Sequence, residues 1–191
     1  MGLAGAGAER PAVPLVGGLT LAAARAHELC GPARRTLACM MAGRMEGPVI
    51  WIVARHERDR LHPAGVVELM EPGRLVFVTP RRAQDLLWTA EEALRAGVVP
   101  LVVADLRGPP ALTPVRRLHL AAQTGMEEGG AAPAMLLLTP GDGGAPGVET
   151  RWWMAPRHGA GAAWRLERRR ARAAPPAAWD LSPDGLLTPT R

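Results

Sequence analysis

Val98-Val99-Pro100-Leu101-Val102-Val103-Ala104-Asp105 is an apolar run of strand length that ends in a carboxylate. A strand that is apolar on both faces is buried on both, as at the centre of a parallel sheet. Three segments of the same texture surround it: Val49-Ile50-Trp51-Ile52-Val53, Arg74-Leu75-Val76-Phe77-Val78 and Ala134-Met135-Leu136-Leu137-Leu138. Helical patterns lie between the later ones. Strands alternating with helices predict right-handed βαβ crossovers and a sheet covered on both faces.

The 191 residues suffice for one domain with a sizeable core. All basic side chains other than histidine are arginine, and lysine, tyrosine and asparagine are absent. The formal charge of +5 is compatible with an anionic partner, although GC-rich codon usage accounts for the arginine bias. Cys30 and Cys39 have no metal-ligand spacing, which points to reduced cytosolic thiols. His56 and His62 lack companion ligands, so no metal site is expected. No apolar run approaches the ~20 residues of a membrane span, and no basic-then-apolar leader is visible. The expected location is cytoplasmic, without a membrane partner.

Along the chain, residues 1–24 read as a flexible Gly/Ala/Pro-rich arm, 25–181 as the core and 182–191 as a tail. Within 19–29 the pattern is ambiguous. Leu21-Ala22-Ala23-Ala24 favours helix, and Ala26-His27-Glu28-Leu29 suits a short strand. Cys30-Gly31-Pro32-Ala33-Arg34-Arg35-Thr36 reads as a strand-to-helix turn, followed by a helix whose Leu37, Met40, Met41 and Met45 form a core stripe. The mixed-charge run from Arg55 to Arg60 reads as a solvated loop.

Residues 81–96 form the clearest helix, with Leu86, Leu87, Ala90, Ala93 and Leu94 on one face and Gly97 as the stop. Trp88 falls on the opposite face, among Gln84, Glu91 and Arg95. An aromatic there is either an interface anchor or is covered by the arm or a loop. Thr113-Pro114 suggests a helix start with Thr113 as N-cap, and 125–132 reads as a loop. Thr150–Ala155 and Ala163–Glu167 alternate like a hairpin turning near Gly159-Ala160-Gly161. Trp152 and Trp164 are expected in the core, with Trp153 facing away. The second strand exits into Arg168-Arg169-Arg170-Ala171-Arg172, and Ala177–Leu181 reads as a last short strand.

The order of these features resembles the ImuA family, the SulA/RecA-like accessory proteins of bacterial inducible mutagenesis. The resemblance spans roughly residues 25–181. It rests on Leu86-Leu87-Trp88-Thr89-Ala90-Glu91-Glu92-Ala93-Leu94-Arg95, on Leu112-Thr113-Pro114-Val115-Arg116-Arg117-Leu118, and on the Trp152/Trp164 hairpin. It implies a reduced RecA-like α/β core: a mostly parallel sheet flanked by helices, with a C-terminal antiparallel hairpin. It also implies a nucleoid-associated role in the SOS-induced translesion mutasome. The implied partners are ImuB, a polymerase-like protein without polymerase activity, RecA itself, and an error-prone replicative-type polymerase.

A working P-loop needs a long Gly-rich turn, a lysine for the β/γ-phosphates and a Ser/Thr for Mg²⁺. Here Gly31 and Pro32 match the start of such a loop, Arg35 stands inside it, Thr36 could take the metal position and Asp105 the Walker-B position. The turn is too short and contains no lysine. It therefore reads as a degenerate, inactive nucleotide site that needs no cofactor. Ser182 is the only serine and no Ser/His/Asp set forms, so a non-enzymatic adaptor is expected. The expected partner surfaces are the Trp88 face (Gln84, Trp88, Glu91, Arg95) and the run Arg168, Arg169, Arg170 and Arg172. A SulA-like division inhibitor and an Arg-rich DNA-binding protein are the competing readings. In the DNA-binding reading the arginines contact phosphate and the tryptophans stack on bases.

Overall fold

The computed structural model describes residues 11–57, 59–157 and 163–190. In chain order the elements are β1 (Ala12–Pro14), β2 (Thr20–Ala22), β3 (Ala26–Cys30), α1 (Arg34–Ala42), β4 (Val49–Val53), α2 (Pro63–Val66), β5 (Leu75–Val78), α3 (Asp85–Arg95) and β6 (Leu101–Asp105). They continue with α4 (Leu112–Gly129), β7 (Ala134–Leu138), β8 (Thr150–Pro156), β9 (Trp164–Ala171), β10 (Ala177–Leu181) and β11 (Leu187–Pro189). Among the described residues nine strands form one sheet in the order β11-β10-β9-β8-β3-β7-β6-β4-β5. From β8 to β5 every pairing is parallel, and β9, β10 and β11 add antiparallel.

The apolar run around Leu101 sits where its composition demands. β6 lies between β7 and β4, and all five of its residues are buried. Alternation divides it between two cores. Leu101 and Val103 join Leu37, Met41, Trp51, Leu136 and Trp152 under α1 and the β1–β2 hairpin. Val102 and Ala104 join Ile52, Leu94, Leu118 and Met135 under α3 and α4. The expected α/β sheet, covered on both faces and ending in an antiparallel hairpin, is present. At its far edge β5 is only partly covered, with Val76 and Phe77 exposed.

Several local expectations are corrected. The chain is ordered within the span expected to be a flexible arm. Residues 12–22 form the antiparallel β1–β2 hairpin, and Val13, Leu15, Val16 and Leu21 are buried in the α1-side core. Apolar residues between the glycines supply enough burial to hold it, and Leu21-Ala22 is strand rather than helix. Residues 1–10 and the turn near Gly159-Ala160-Gly161 lie outside the described residues. At the other end, the expected tail pairs as β11 with β10, and Leu187 packs on the core.

Helix α4 begins two residues earlier than its Thr-Pro signal, with Ala111 rather than Thr113 as the N-cap and no side-chain capping bond. Pro114 is tolerated because first-turn N–H groups have no intrahelical acceptor. The same helix runs through Gly125 and Gly129 into the expected loop and stops at Gly130 in the left-handed region. Gly125 is a packing glycine: a Cβ there would meet the Leu94 carbonyl oxygen at 1.9 Å. The glycines let α3 and α4 approach closely, which a reading of glycine as a helix breaker misses.

Candidate functional site

The strand-to-helix turn after β3 closes on protein rather than opening on solvent. Gly31 has φ +88°, and a Cβ there would lie 2.5 Å from the Met154 carbonyl oxygen, so β8 runs against the turn. Gly31 N–H donates to Gly141 O at 2.9 Å, Ala33 N–H to Met154 O at 3.0 Å and Arg34 N–H to Gly31 O at 3.4 Å. Pro32 has no N–H to give. A phosphate cradle works by presenting successive backbone N–H groups to a ligand; in this turn they are spent internally.

The carboxylate of Asp105 leaves the C-terminal end of β6 and meets α1. Arg35 Nε donates to Asp105 Oδ2 at 2.5 Å, and the Asp105 side chain is 5% exposed. Burial pushes the Asp105 carboxyl above its ordinary range, while the Arg35 guanidinium opposes that shift. Gly31, Pro32, Arg35, Thr36 and Asp105 thus gather at one end of the sheet, and the strand-end acid is bound by an arginine. Hollows of about 190 and 170 Å³ flank the pair. Thr36 lines the smaller one together with Arg35, Cys39 and His62. Glu57, in the region after β4, lies 3.5 Å from Arg107. No group of three His, Cys, Asp or Glu that could hold a metal occurs among the described residues.

The thiols are not poised as nucleophiles. Burial, with Glu28 adding to it at Cys30, pushes both Cys30 and Cys39 up to about 12.

The neighbouring strand β3 carries polar groups whose role the sequence reading missed. Glu28 is fully buried. Its Oε1 accepts from Thr139 Oγ1 at 2.7 Å, Gly144 N–H at 2.8 Å and Ala145 N–H at 3.0 Å, and Arg151 Nε donates to its Oε2. His27, also fully buried, bonds Thr150 Oγ1 at 2.8 Å through Nδ1 and Ala22 O at 2.9 Å through Nε2. A carbonyl can only accept, so Nε2 carries the proton of a neutral ring. Through these bonds β3 ties the N-terminal hairpin, β8 and the loop 141–147 together. The signal was present as two adjacent polar residues in a strand otherwise fit for a core.

A pH dependence of stability follows. Burial lowers the His27 pKa from 6.5 to about 4. Above pH 6.5 the ring is neutral in both folded and unfolded chains. Below that value the unfolded chain takes up a proton that the folded chain refuses, so stability falls as pH drops toward 4. The interval corresponds to about 3 kcal/mol, and His119, whose pKa burial also lowers, adds in the same direction. Denaturant midpoints measured across pH 7 to 4 should fall steeply, and the slope should flatten in His27→Gln. An unchanged slope in that variant would reject the assignment.

Of the residues expected at partner surfaces, some in each group are exposed and others are buried or packed. Trp88 is 57% exposed, with Arg95 exposed on the same helix and Gln84 exposed just before it, since residues 81–84 form a turn rather than the expected start of the helix. Glu91 does not belong with them. It is buried between α3 and α4, where Arg117 reaches its Oε2 at 3.0 and 2.7 Å. Its polar character had placed it on the outer face, but α4 covers that side. The arginine run is likewise divided. Arg168 sits over Trp152 and Trp179, 5.7 and 5.4 Å from the ring centroids, and donates to Pro175 O. Arg169 lies 4.6 Å from the Trp153 ring and pairs with Asp142 and Glu167. Both belong to β9's own packing, whereas Arg170 and Arg172 are exposed. Trp152 is core as expected, and Trp164 is half-buried against the same cluster.

The fold and the site together define an α/β protein whose strand-to-helix turn closes on Gly141 and Met154 and whose strand-end aspartate is bound by Arg35 of α1. No helix among the described residues is long and apolar enough to cross a membrane. The sequence matches no protein-family model and no curated protein.

Proposed function

We propose that this chain is a non-enzymatic adaptor of translesion synthesis, of the ImuA type, built on a reduced RecA-like core. Its partners in this reading are an ImuB-like polymerase-family protein and RecA, in the setting of an error-prone replicative-type polymerase. Direct DNA binding is a minor term.

The observation that carries the reading is the Arg35–Asp105 pair. A RecA-type core devotes the turn after its first core strand to phosphate and the strand-end carboxylate to the metal. In this chain Arg35, on the helix that follows the turn, binds the strand-end carboxylate Asp105, the N–H groups of the turn are used by Gly141 and Met154, and lysine is absent. A core kept without its nucleotide machinery is suited to presenting surfaces. Trp88, with Gln84 and Arg95, supplies one: Leu86, Ala90 and Leu94 dock α3 on the sheet, which leaves the indole without a packing task. Arg170 supplies a charged contact on β9 that can be removed without disturbing the Arg168 and Arg169 stacks.

Capture of the polymerase-like partner by the purified full chain tests the reading. Trp88→Ala should keep its circular dichroism spectrum and weaken capture by about tenfold or more, the usual loss for an aromatic anchor. Arg170→Ala should reduce the salt dependence of capture. In cells, deletion should lower damage-induced mutation, and the wild-type chain but not Trp88→Ala should restore it. Filamentation on overexpression, with damage-induced mutation unchanged by deletion, would favour division inhibition and reject the adaptor.

A further inference from the structure

At the end of the sheet opposite the Arg35–Asp105 pair, where the interior strands β3 and β8 begin, lies a hollow of about 320 Å³. Arg25, just before β3, Arg116 and His119 of α4, Glu149, just before β8, and Arg172, just after β9, converge on it. Three guanidinium groups face a single carboxylate, a formal excess of two positive charges. Glu149 lies 3.9 Å from Arg25 and 3.5 Å from Arg172, both beyond hydrogen-bond length. Arg25 spends one N–H on Ala24 O at 2.8 Å, of the five a guanidinium offers. Arg116 makes no hydrogen bond or ion pair among the described residues.

His119 adds no charge and no donor. Its Nδ1 accepts from Ala26 N–H at 3.2 Å and its Nε2 donates to Gly147 O at 3.0 Å, which leaves a neutral wall. The exposed Leu120 forms an apolar lip. A second hollow of about 180 Å³ shares Glu149 and Arg172 and continues past Thr20 to Arg168.

We propose that this hollow binds the dianionic phosphate of a phosphate monoester, gripped by Arg25, Arg116 and Arg172, with the organic part lying along Leu120 or in the adjoining hollow. Convergent guanidinium forks suit the several oxygens of a phosphate, and two excess charges match a dianion. The same chemistry is offered by a free nucleotide and by the 5′-phosphorylated end of a nucleic acid strand. The site lies away from Trp88 and from the Arg35–Asp105 pair, and its failure would leave the adaptor reading untouched.

Titration calorimetry on the full chain at low ionic strength tests it. The probes are a nucleoside 5′-monophosphate and a short single-stranded oligonucleotide with and without a 5′-phosphate. The 5′-monophosphate is expected to bind, and Arg116→Gln and Arg172→Gln should each weaken it about tenfold through loss of a charge-assisted contact. Glu149→Gln, which removes the competing carboxylate, should tighten it. Arg60→Gln makes the same change in net charge on an exposed loop and should leave binding unaltered. Stronger binding of the phosphorylated than of the unphosphorylated oligonucleotide assigns the site to nucleic acid ends; equal binding of the two, with the free monophosphate still bound, assigns it to nucleotides. Absence of binding by every phosphate probe, or equal losses for Arg60→Gln and Arg116→Gln, would overturn the proposal.

Discussion

Trp152→Ala is expected to lower stability by ~3–5 kcal/mol, the range for truncating a buried tryptophan. Trp88→Ala should change it by no more than ~0.5 kcal/mol, as at an exposed site. The two residues differ in everything but side-chain type. Trp152 is 1% exposed and stacks on Trp179, with ring centroids 5.9 Å apart. Its Nε1 donates to Thr150 Oγ1 at 2.9 Å, the hydroxyl that also bonds His27. Arg168 lies over both rings. Truncation would therefore leave a cavity and strip a guanidinium of one aromatic face. Trp164→Ala, at a half-buried position, should fall between the two. Equilibrium denaturation of the three variants decides the matter, and equal midpoint shifts for Trp152→Ala and Trp88→Ala would sink the core assignment.

The legible parts of the fold are those where one physical rule acts alone. β4, β6 and β7 are apolar because both faces are covered, and no competing pattern exists for such runs. The hairpin of β8 and β9 was legible for the complementary reason: one face is packed and the other is not, so Trp152 and Met154 alternate with Arg151 and Trp153. The misreadings occur where tertiary contact reverses a local preference. Gly125 looks like a breaker but is the residue on which two helices meet. Val13, Leu15 and Leu21 lie in a Gly/Ala-rich stretch whose composition suggests a free arm, and distant burial decides otherwise. The site shows the same division. The missing lysine and the short turn could be read directly, but the guanidinium that occupies Asp105 required the fold, because Arg35 and Asp105 lie seventy residues apart.

The Glu28 clasp gives the second large effect and the sharper test of how this core is held. Arg151→Met is expected to destabilise the protein by ~3–5 kcal/mol, because it leaves a buried carboxylate without its charge partner. Glu28→Gln should be milder. The amide oxygen can still accept from Thr139, Gly144 and Ala145, and the Arg151 side chain, 19% exposed, can turn toward water. The asymmetry follows from burial: one partner has no access to solvent and the other has some. In the double variant the uncompensated charge is gone. Glu28→Gln/Arg151→Met should therefore be more stable than Arg151→Met alone, although it carries one more substitution. The loop 141–147 adds a second readout. Gly143 is packed so closely on the carboxylate that a Cβ would lie 2.8 Å from Glu28 Oε1. Amide exchange at Gly144 and Ala145, which donate to Glu28, should accelerate in both single variants, since local opening exposes them before global unfolding does. A strictly additive double-mutant cycle, with Arg151→Met no worse than Glu28→Gln, would show that the pair does not hold β3 to β8 through charge. Parallel strand packing alone would then have to account for the order of this part of the sheet.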